Sequence, residues 1–171
     1  MKDTSLLVLI LTTVNFLSDG VVSALCNPPY CPPAWIAYEG HCYQLVDTPM
    51  SWMDAERHCQ MLSHPGKMVH LTSIHSAAED GIISEFVRKE PGLSAASGYW
   101  IGSSDLEREN HFQWTDGSDW SYEGWQSYVP NKYEEEPNGA ETENCVERRS
   151  NLGDNWNDLA CDNKLPFVCK M

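Results

Sequence analysis

Apolar residues recur with helical spacing in two stretches of the first half of the chain. The first stretch follows Ser51, a residue type that caps helix N-termini, and ends at His64-Pro65-Gly66. The second opens with Ser76-Ala77-Ala78-Glu79, which has the form of a capping box, and runs to about Lys89. The predicted buried faces comprise Trp52, Ala55, Cys59 and Leu62 in the first stretch and Ile82, Ile83, Phe86 and Val87 in the second. The pattern therefore predicts two amphipathic helices.

Short runs of aromatic and β-branched residues predict strands on either side of these helices. An aromatic strand pair turns at Glu39-Gly40, and further short strands are predicted around residues 69–74, 99–102, 112–114, 145–147, 155–157 and 167–169. Between Trp120 and Asn144 the chain is polar and contains Gly, Pro and Asn. A structureless segment of this length within a compact domain is usually functional. We therefore expect this loop to carry function.

The N-terminal 24 residues have the organisation of a secretory signal peptide. The apolar run Leu6–Leu11 follows a charged start, and the small residues Val22-Ser23-Ala24 offer a cleavage site. A membrane anchor would need about 20 apolar residues, and polar residues such as Asp19 interrupt this stretch. No later stretch is long and apolar enough for a membrane span. The sequence thus predicts a secreted domain over residues 25–171, with a short leader rich in Cys and Pro.

The net charge of the chain limits the kinds of partner that this domain is expected to bind. Asp and Glu number 25 against 11 Lys and Arg, a formal charge of -14. Nucleic acids and anionic membranes attract Lys and Arg side chains, so neither is an expected partner of this acidic chain. The acidic balance suits cations, including calcium or a calcium mineral surface, although net charge also serves solubility alone.

The seven cysteines predict a disulfide framework for a secreted chain. They lie at positions 26, 31, 42, 59, 145, 161 and 169. Six cysteines allow about 15 pairings, and spacing does not choose among them. Zinc is disfavoured because the chain has neither a CxxC pair nor HExxH. The odd residue is assigned to Cys26, which stands alone near the mature N-terminus and is a candidate for an interchain bond; a capped thiol is the alternative.

Carboxylates and carboxamides alternate in the last third of the chain. They occur in Glu136-Pro137-Asn138, Glu143-Asn144-Cys145 and Trp156-Asn157-Asp158, between or beside cysteines. Calcium takes about six to eight oxygen ligands of these types, some of them from water or a bound ligand. No nucleophile–base pair and no open metal triad accompanies them, so catalysis is not predicted.

Together these residues resemble the C-type lectin domain over Cys31 to Cys169. The matching motifs, in order, are CPPAWIAYEGHCY at 31–43, WMDAERHC at 52–59, HLTSIHSAAED at 70–80, YWIGSSD at 99–105, FQWTDGS at 112–118, GW at 124–125, ENCVE at 143–147, WNDLAC at 156–161 and PFVC at 166–169. The resemblance implies an α+β fold with two helices, antiparallel sheets and a long calcium- and sugar-binding loop region. It implies three intrachain disulfides, Cys31–Cys42, Cys59–Cys169 and Cys145–Cys161.

The resemblance also implies a calcium-dependent lectin. Its calcium and carbohydrate ligands would be Glu136, Asn138, Glu143, Asn157 and Asp158, with Pro137 in the cis form. In the family, the triplet Glu-Pro-Asn goes with mannose, N-acetylglucosamine and fucose, whereas Gln-Pro-Asp goes with galactose. A second calcium site would use Asp105, Glu109 and Glu143. Recognition of cell-surface or microbial glycans would then suit a disulfide-linked homo-oligomer, since avidity offsets weak single sites.

Two alternatives remain open. Counting forward from Trp125 places Val129-Pro130-Asn131 in the ligand position, whereas counting back from Cys145 selects Glu136-Pro137-Asn138. We favour the second triplet because Glu136 supplies the charge that calcium needs. The rival function is a calcium-independent protein of the same fold that binds a protein or a calcium mineral surface.

Overall fold

The computed structural model describes residues 31–91, 98–127, 130, 135–149 and 155–171. Its strands are β1 (Ile36–Tyr38), β2 (His41–Met50), β3 (His70–Leu71), β4 (Tyr99–Ser104), β5 (Gln113–Trp114), β6 (Cys145–Arg148), β7 (Trp156–Leu159) and β8 (Leu165–Lys170). Its helices are α1 (Trp52–Met61) and α2 (Ala77–Arg88), and a short 3-10 helix spans Ala140–Thr142. Both predicted helices are therefore confirmed, and β2 is longer than the sequence pattern indicated.

The helices begin where their capping residues predict. The Ser51 hydroxyl accepts from the backbone N–H of Asp54 at 3.4 Å, and the Ser76 hydroxyl accepts from that of Glu79 at 3.1 Å. The predicted buried face of α1 is confirmed for Trp52, Ala55 and Cys59, while Leu62 is half-buried.

The predicted buried face of α2 is partly wrong, because Ile82 is 37% exposed. The helix is rotated so that Glu79 and Asp80 lie inside with Ile83 and Val87. Asp80 is held there by Arg148, whose Nε donates to Oδ1 at 2.5 Å. Two buried acids thus replace part of the expected apolar face, because each finds a buried basic partner.

The strands form a sheet in the order β1-β2-β8-β4-β6-β7, with β3 paired to β8 and β5 paired to β4. All of these pairings are antiparallel except that of β4 with β8, which run parallel at Trp100 and Phe167. The expected antiparallel sheet is therefore confirmed, with the one parallel pair of β4 and β8 added to it. The C-terminal strand β8 enters the middle of the sheet, and a short local pattern does not reveal that placement.

The three expected disulfides are confirmed. Cys31 pairs with Cys42, Cys59 with Cys169, and Cys145 with Cys161. The second joins α1 to β8, and the third joins the start of β6 to the chain just after β7. That third bond anchors the C-terminal end of the segment between β5 and β6, residues 115–144, which is called the long loop below. Cys26 lies outside the described residues.

A buried polar network ties α2 to the sheet. Glu79 Oε1 accepts from the Tyr43 hydroxyl at 2.6 Å and from Lys170 Nζ at 2.7 Å, and its Oε2 accepts from the His75 backbone N–H at 2.7 Å. Among the residues described here, no helix is long and apolar enough to cross a membrane. The N-terminal 24 residues, predicted to be a signal peptide, lie outside them.

Candidate functional site

The carboxylate of Asp158 joins the long loop to β7. Its Oδ1 accepts from the backbone N–H of Asn138 at 3.0 Å, and its Oδ2 accepts from that of Gly139 at 2.9 Å. The Glu136–Pro137 peptide bond is cis, as the resemblance implies. The Glu136 backbone N–H donates to the Gln126 carbonyl at 3.0 Å, which holds the other end of the triplet. The structure thus places Glu136-Pro137-Asn138 against Asn157 and Asp158.

The five predicted ligand residues differ in exposure. Glu136, Asn157 and Asp158 are buried, Glu143 is half-buried, and Asn138 is exposed. Burial raises the pKa of Glu136 to about 7, and the nearby charge of Asp158 adds to the effect, while Arg149 opposes it. Burial and the charge of Asp158 also raise the pKa of Glu143. The loop therefore gathers carboxylates whose negative charges repel one another.

The carboxylate of Glu136 lies beside the side chains of Arg149 and Asp158. Its Oε1 lies 3.5 Å from Arg149 Nη1, and its Oε2 is buried with no hydrogen-bond partner among the described residues. An unpartnered buried carboxylate oxygen is costly unless something else binds it. A ligand that bound this oxygen would remove the cost of leaving it unpaired.

Arg149 and Glu147 form a second layer behind the predicted ligands. Arg149 Nε donates to Glu147 Oε1 at 3.1 Å, and the same oxygen accepts from the side-chain amide of Asn157 at 3.0 Å. An amide whose nitrogen is held in this way turns its carbonyl oxygen in another direction. Asn157 is thus oriented by Glu147.

The residues of the predicted second calcium site also lie near Asp158. Asp105 is 3% exposed; its Oδ2 accepts from the Asn110 backbone N–H at 2.8 Å, and its Oδ1 has no hydrogen-bond partner among the described residues. Burial and the charge of Asp158 raise the pKa of Asp105. Loss of water contact and the charges of Asp105, Glu141 and Asp158 raise the pKa of Glu109. Burial and, after it, the charge of Asp158 raise the pKa of Glu143 as well.

Calcium fits this donor set by chemistry. Carboxylate and amide oxygens predominate, and two buried carboxylate oxygens lack hydrogen-bond partners among the described residues. Burial, together with the charge of Asp158, raises the pKa of Asp105, Glu136 and Glu143. The distances are less favourable: across the described part of the chain, no three Asp, Glu, His or Cys side chains gather closely enough to hold a metal ion. The arrangement therefore has the charge and ligand types for calcium, but its side chains would have to draw together around the ion.

Three residues of this network were missed by the sequence reasoning. Glu147 and Arg149 could have been noticed as charges in and just after a predicted buried strand. Glu147 pairs in register with Asn157 across β6 and β7, which places their side chains on one face. Glu141, on the 3-10 helix, was expected only as part of a solvated acidic loop.

The alternative triplet Val129-Pro130-Asn131 cannot be placed in the same way. Val129 and Asn131 lie outside the described residues, and Pro130 is exposed. The choice of Glu136-Pro137-Asn138 therefore stays a prediction, which the contacts of Asn138 and Gly139 with Asp158 support.

A Ser, His and Asp cluster lies elsewhere in the domain. The buried Ser73 hydroxyl donates to Asp116 Oδ2 at 2.6 Å and accepts from Lys170 Nζ at 3.2 Å, and His75 Nε2 lies 3.1 Å from the same hydroxyl. A nucleophilic serine donates to its histidine base, which the acid orients. Here the serine donates to the acid directly, so the cluster does not have the arrangement of a catalytic triad.

Comparison with known proteins identifies relatives over most of the chain. A family profile described as "Lectin C-type domain" matches residues 48–171. A protein named "Lectin" from Pleurodeles waltl is 34% identical over 173 aligned positions, covering 99% of this chain and 94% of that protein. An "Alpha-N-acetylgalactosamine-specific lectin" from Patiria pectinifera is 37% identical, covering 84% of this chain and 82% of that protein.

Solved structures share the fold and differ in what their names say of calcium. The EPNH mutant of CEL-I, a C-type lectin from Cucumaria echinata, superposes with a TM-score of 0.73 at 32% identity, over 82% of this chain and 95% of that one. A calcium-independent type II antifreeze protein superposes with a TM-score of 0.65 at 27% identity, over 83% of this chain and 94% of that one. The fold is therefore compatible both with sugar binding and with a calcium-independent role.

Proposed function

The chain belongs to the C-type lectin family, a non-enzymatic class of carbohydrate-binding proteins, and on that premise we propose that it binds sugars through calcium. The ion would be held by the predicted set Glu136, Asn138, Glu143, Asn157 and Asp158. The sugars would be of the mannose type, including N-acetylglucosamine and fucose. A second calcium ion would be held by Asp105 and Glu109 together with Glu143.

One observation supports this proposal above the others. Asp158 accepts hydrogen bonds from the backbone of Asn138 and Gly139, which brings the loop triplet onto the strand that carries Asn157. At this junction Glu136 keeps a buried oxygen without a partner among the described residues. A divalent cation would relieve both that missing contact and the repulsion among the carboxylates.

The residue types suit recognition of paired sugar hydroxyls. Bound calcium supplies open coordination positions that sugar oxygens can fill. A hydroxyl can donate to the Glu136 carboxylate and accept from the Asn138 amide, and bonds to the ionised group are the stronger ones. Glu147 takes one hydrogen of the Asn157 amide and so orients that side chain. The chain's own contribution is thus to hold acceptors and donors in alternation around one point.

Retention on immobilised mannose tests the proposal. The full mature chain should be retained in calcium, released by EDTA, and displaced by mannose at a lower concentration than by galactose. The variant Glu143→Gln should lose calcium-dependent retention while its circular dichroism spectrum stays unchanged. Preferred displacement by galactose would contradict the mannose preference, and retention by Glu143→Gln would remove that residue from the site.

A second candidate is the calcium-independent role named above, with a protein or mineral partner. It is favoured by Arg149, a cation that already lies beside Glu136 and Glu147. It also accords with the likeness to the antifreeze protein. If the folded chain does not bind mannose, and if calcium does not change its melting temperature, the result would favour this second candidate.

We also propose that the chain is secreted after removal of its N-terminal 24 residues. Cys26 would then link two copies, since the other six cysteines are paired with one another. On non-reducing gels the secreted chain should run as a dimer or larger species, and Cys26→Ser should run as a monomer. Unchanged mobility of Cys26→Ser would contradict the interchain bond.

A further inference from the structure

A cavity of about 740 Å³ opens beside the proposed sugar site. Glu136 and Pro137 form one of its walls, so it is continuous with the triplet that would read the sugar. The lining also includes residues of the segment before β5 and of the start of the long loop, among them Phe112, Trp120 and Trp125. Pockets of about 300–1,000 Å³ with a partly aromatic lining are typical of small-molecule sites.

The aromatic wall is a packed unit. Phe112 lies 4.7 Å from Trp125 and 5.9 Å from Trp120, measured between ring centroids. All three side chains are only half-buried, so part of each ring can meet a ligand. Trp120 and Trp125 also lie 5.8 and 5.9 Å from Trp156, which immediately precedes Asn157 on β7. The cavity wall and the proposed calcium ligands are therefore supported by the same cluster of rings.

Polar groups surround these rings. The lining includes the exposed side chains of Gln113, Glu123 and Ser127. Glu123 Oε1 accepts from the Trp120 indole N–H at 2.8 Å, which holds a carboxylate at the rim. Such a rim can exchange hydrogen bonds with hydroxyl groups. With Glu135 and Glu136 also in the lining, the cavity is acidic and disfavours an anionic ligand.

We propose that this cavity is a second sugar-binding position, which takes the neutral pyranose ring linked to the one read by Glu136 and Asn138. A pyranose has an apolar C–H face, which suits the electron-rich faces of aromatic rings, and hydroxyls at its edge. The inference rests on the proposed function, because the first ring must be held for the second to reach the cavity. The protein would then select a disaccharide and not merely a single sugar.

Calorimetric titration of the full mature chain in calcium tests this position. The probes are mannose and a panel of α-linked mannobioses. At least one mannobiose should bind about 3- to 10-fold more tightly than mannose, the gain expected for one aromatic contact. Ser127→Trp should fill the cavity and abolish the gain while mannose affinity stays within about 2-fold. Phe112→Leu, which keeps the packing but removes an aromatic face, should reduce the gain.

The matched control is Ser121→Trp, an exposed position of the same loop outside the cavity lining. It should keep both the mannose affinity and the mannobiose gain. If mannose binds but no mannobiose gains affinity, or if the gain survives Ser127→Trp, the second position is overturned while the proposed function stands. If only p-nitrophenyl mannoside binds more tightly than mannose, the cavity accepts an apolar substituent, and the proposal of a second sugar ring is overturned. If the folded chain does not bind mannose at all, both proposals fall.

Discussion

Two buried glutamates, one on a helix and one in the long loop, have very different hydrogen-bonding surroundings. Glu79 on α2 is 6% exposed and Glu136 in the loop is 7% exposed. Glu79 accepts three hydrogen bonds, including one from Lys170. Among the described residues, Glu136 forms an ion pair of 3.5 Å with Arg149, lies beside the Asp158 carboxylate, and keeps an oxygen without a hydrogen-bond partner.

The acidities of the two side chains follow from these surroundings. Burial raises the pKa of Glu79, but hydrogen bonds from Lys170 and Tyr43 outweigh it, so the net pKa is lowered. The pKa of Glu136 rises to about 7 because burial is reinforced by Asp158 and only partly opposed by Arg149. A satisfied buried acid stabilises the fold, whereas an unsatisfied one costs stability unless a ligand completes it. Glu79 therefore has the surroundings of a structural carboxylate, whereas those of Glu136 fit the ligand role proposed for it.

Removing the charge of Glu79 should have the largest effect. In Glu79→Gln, Lys170 is left buried without its counter-ion, and breaking a buried pair costs about 3–5 kcal/mol. Urea unfolding at neutral pH in EDTA measures the loss. The matched control is Glu85→Gln, which breaks an exposed pair with Lys89 on the same helix and should leave stability unchanged. Equal stability of Glu79→Gln and the unmodified chain would mean that the network is not structural.

The same substitution at Glu136 should affect binding and not folding. In EDTA, Glu136→Gln should change the free energy of unfolding by less than about 1 kcal/mol, because it removes a poorly paired buried charge. Calcium affinity, measured by calorimetry, should fall at least about 10-fold, because the ion would lose one of its charged oxygen ligands. Destabilisation comparable to that of Glu79→Gln, with calcium affinity retained, would end the distinction between the two glutamates.

The sequence predicted local features of both regions better than their packing. The caps at Ser51 and Ser76 depend on neighbouring residues and were therefore readable from the pattern. The position of Asp158 beside the triplet followed from resemblance to a family. The exposure of Ile82 and the contact of Arg149 with Glu136 were not predictable, because each depends on partners distant in sequence. The aromatic cavity was missed for the same reason: its rings come from separate segments.

Removing the charge of Arg149 should have a smaller effect, which is expected on calcium affinity. Arg149→Met keeps an unbranched side chain but deletes the positive charge beside Glu136 and Glu147. Because that charge repels a second cation, calcium affinity should rise about 2- to 10-fold. The control Arg57→Met deletes an exposed charge on α1 and should leave calcium affinity unchanged. A fall in affinity for Arg149→Met would mean that Arg149 mainly positions its two glutamates.

The smallest expected effect is that of mild acid on the stability that the Glu79 network contributes. A carboxyl whose folded pKa is lowered contributes stability at all pH values above its unfolded pKa, ordinarily near 4.5 for Glu, and loses it as the pH falls through the lower folded pKa. Between pH 7 and about pH 5.5 the stability difference between the unmodified chain and Glu79→Gln should therefore stay nearly constant. It should shrink only below about pH 4.5, as the unfolded chain takes up the proton first. Urea unfolding of both proteins in EDTA across this range measures the difference. A difference that already declined near pH 6 would show that Glu79 is protonated as readily as Glu136, and its three hydrogen bonds would then not be the cause of its stability.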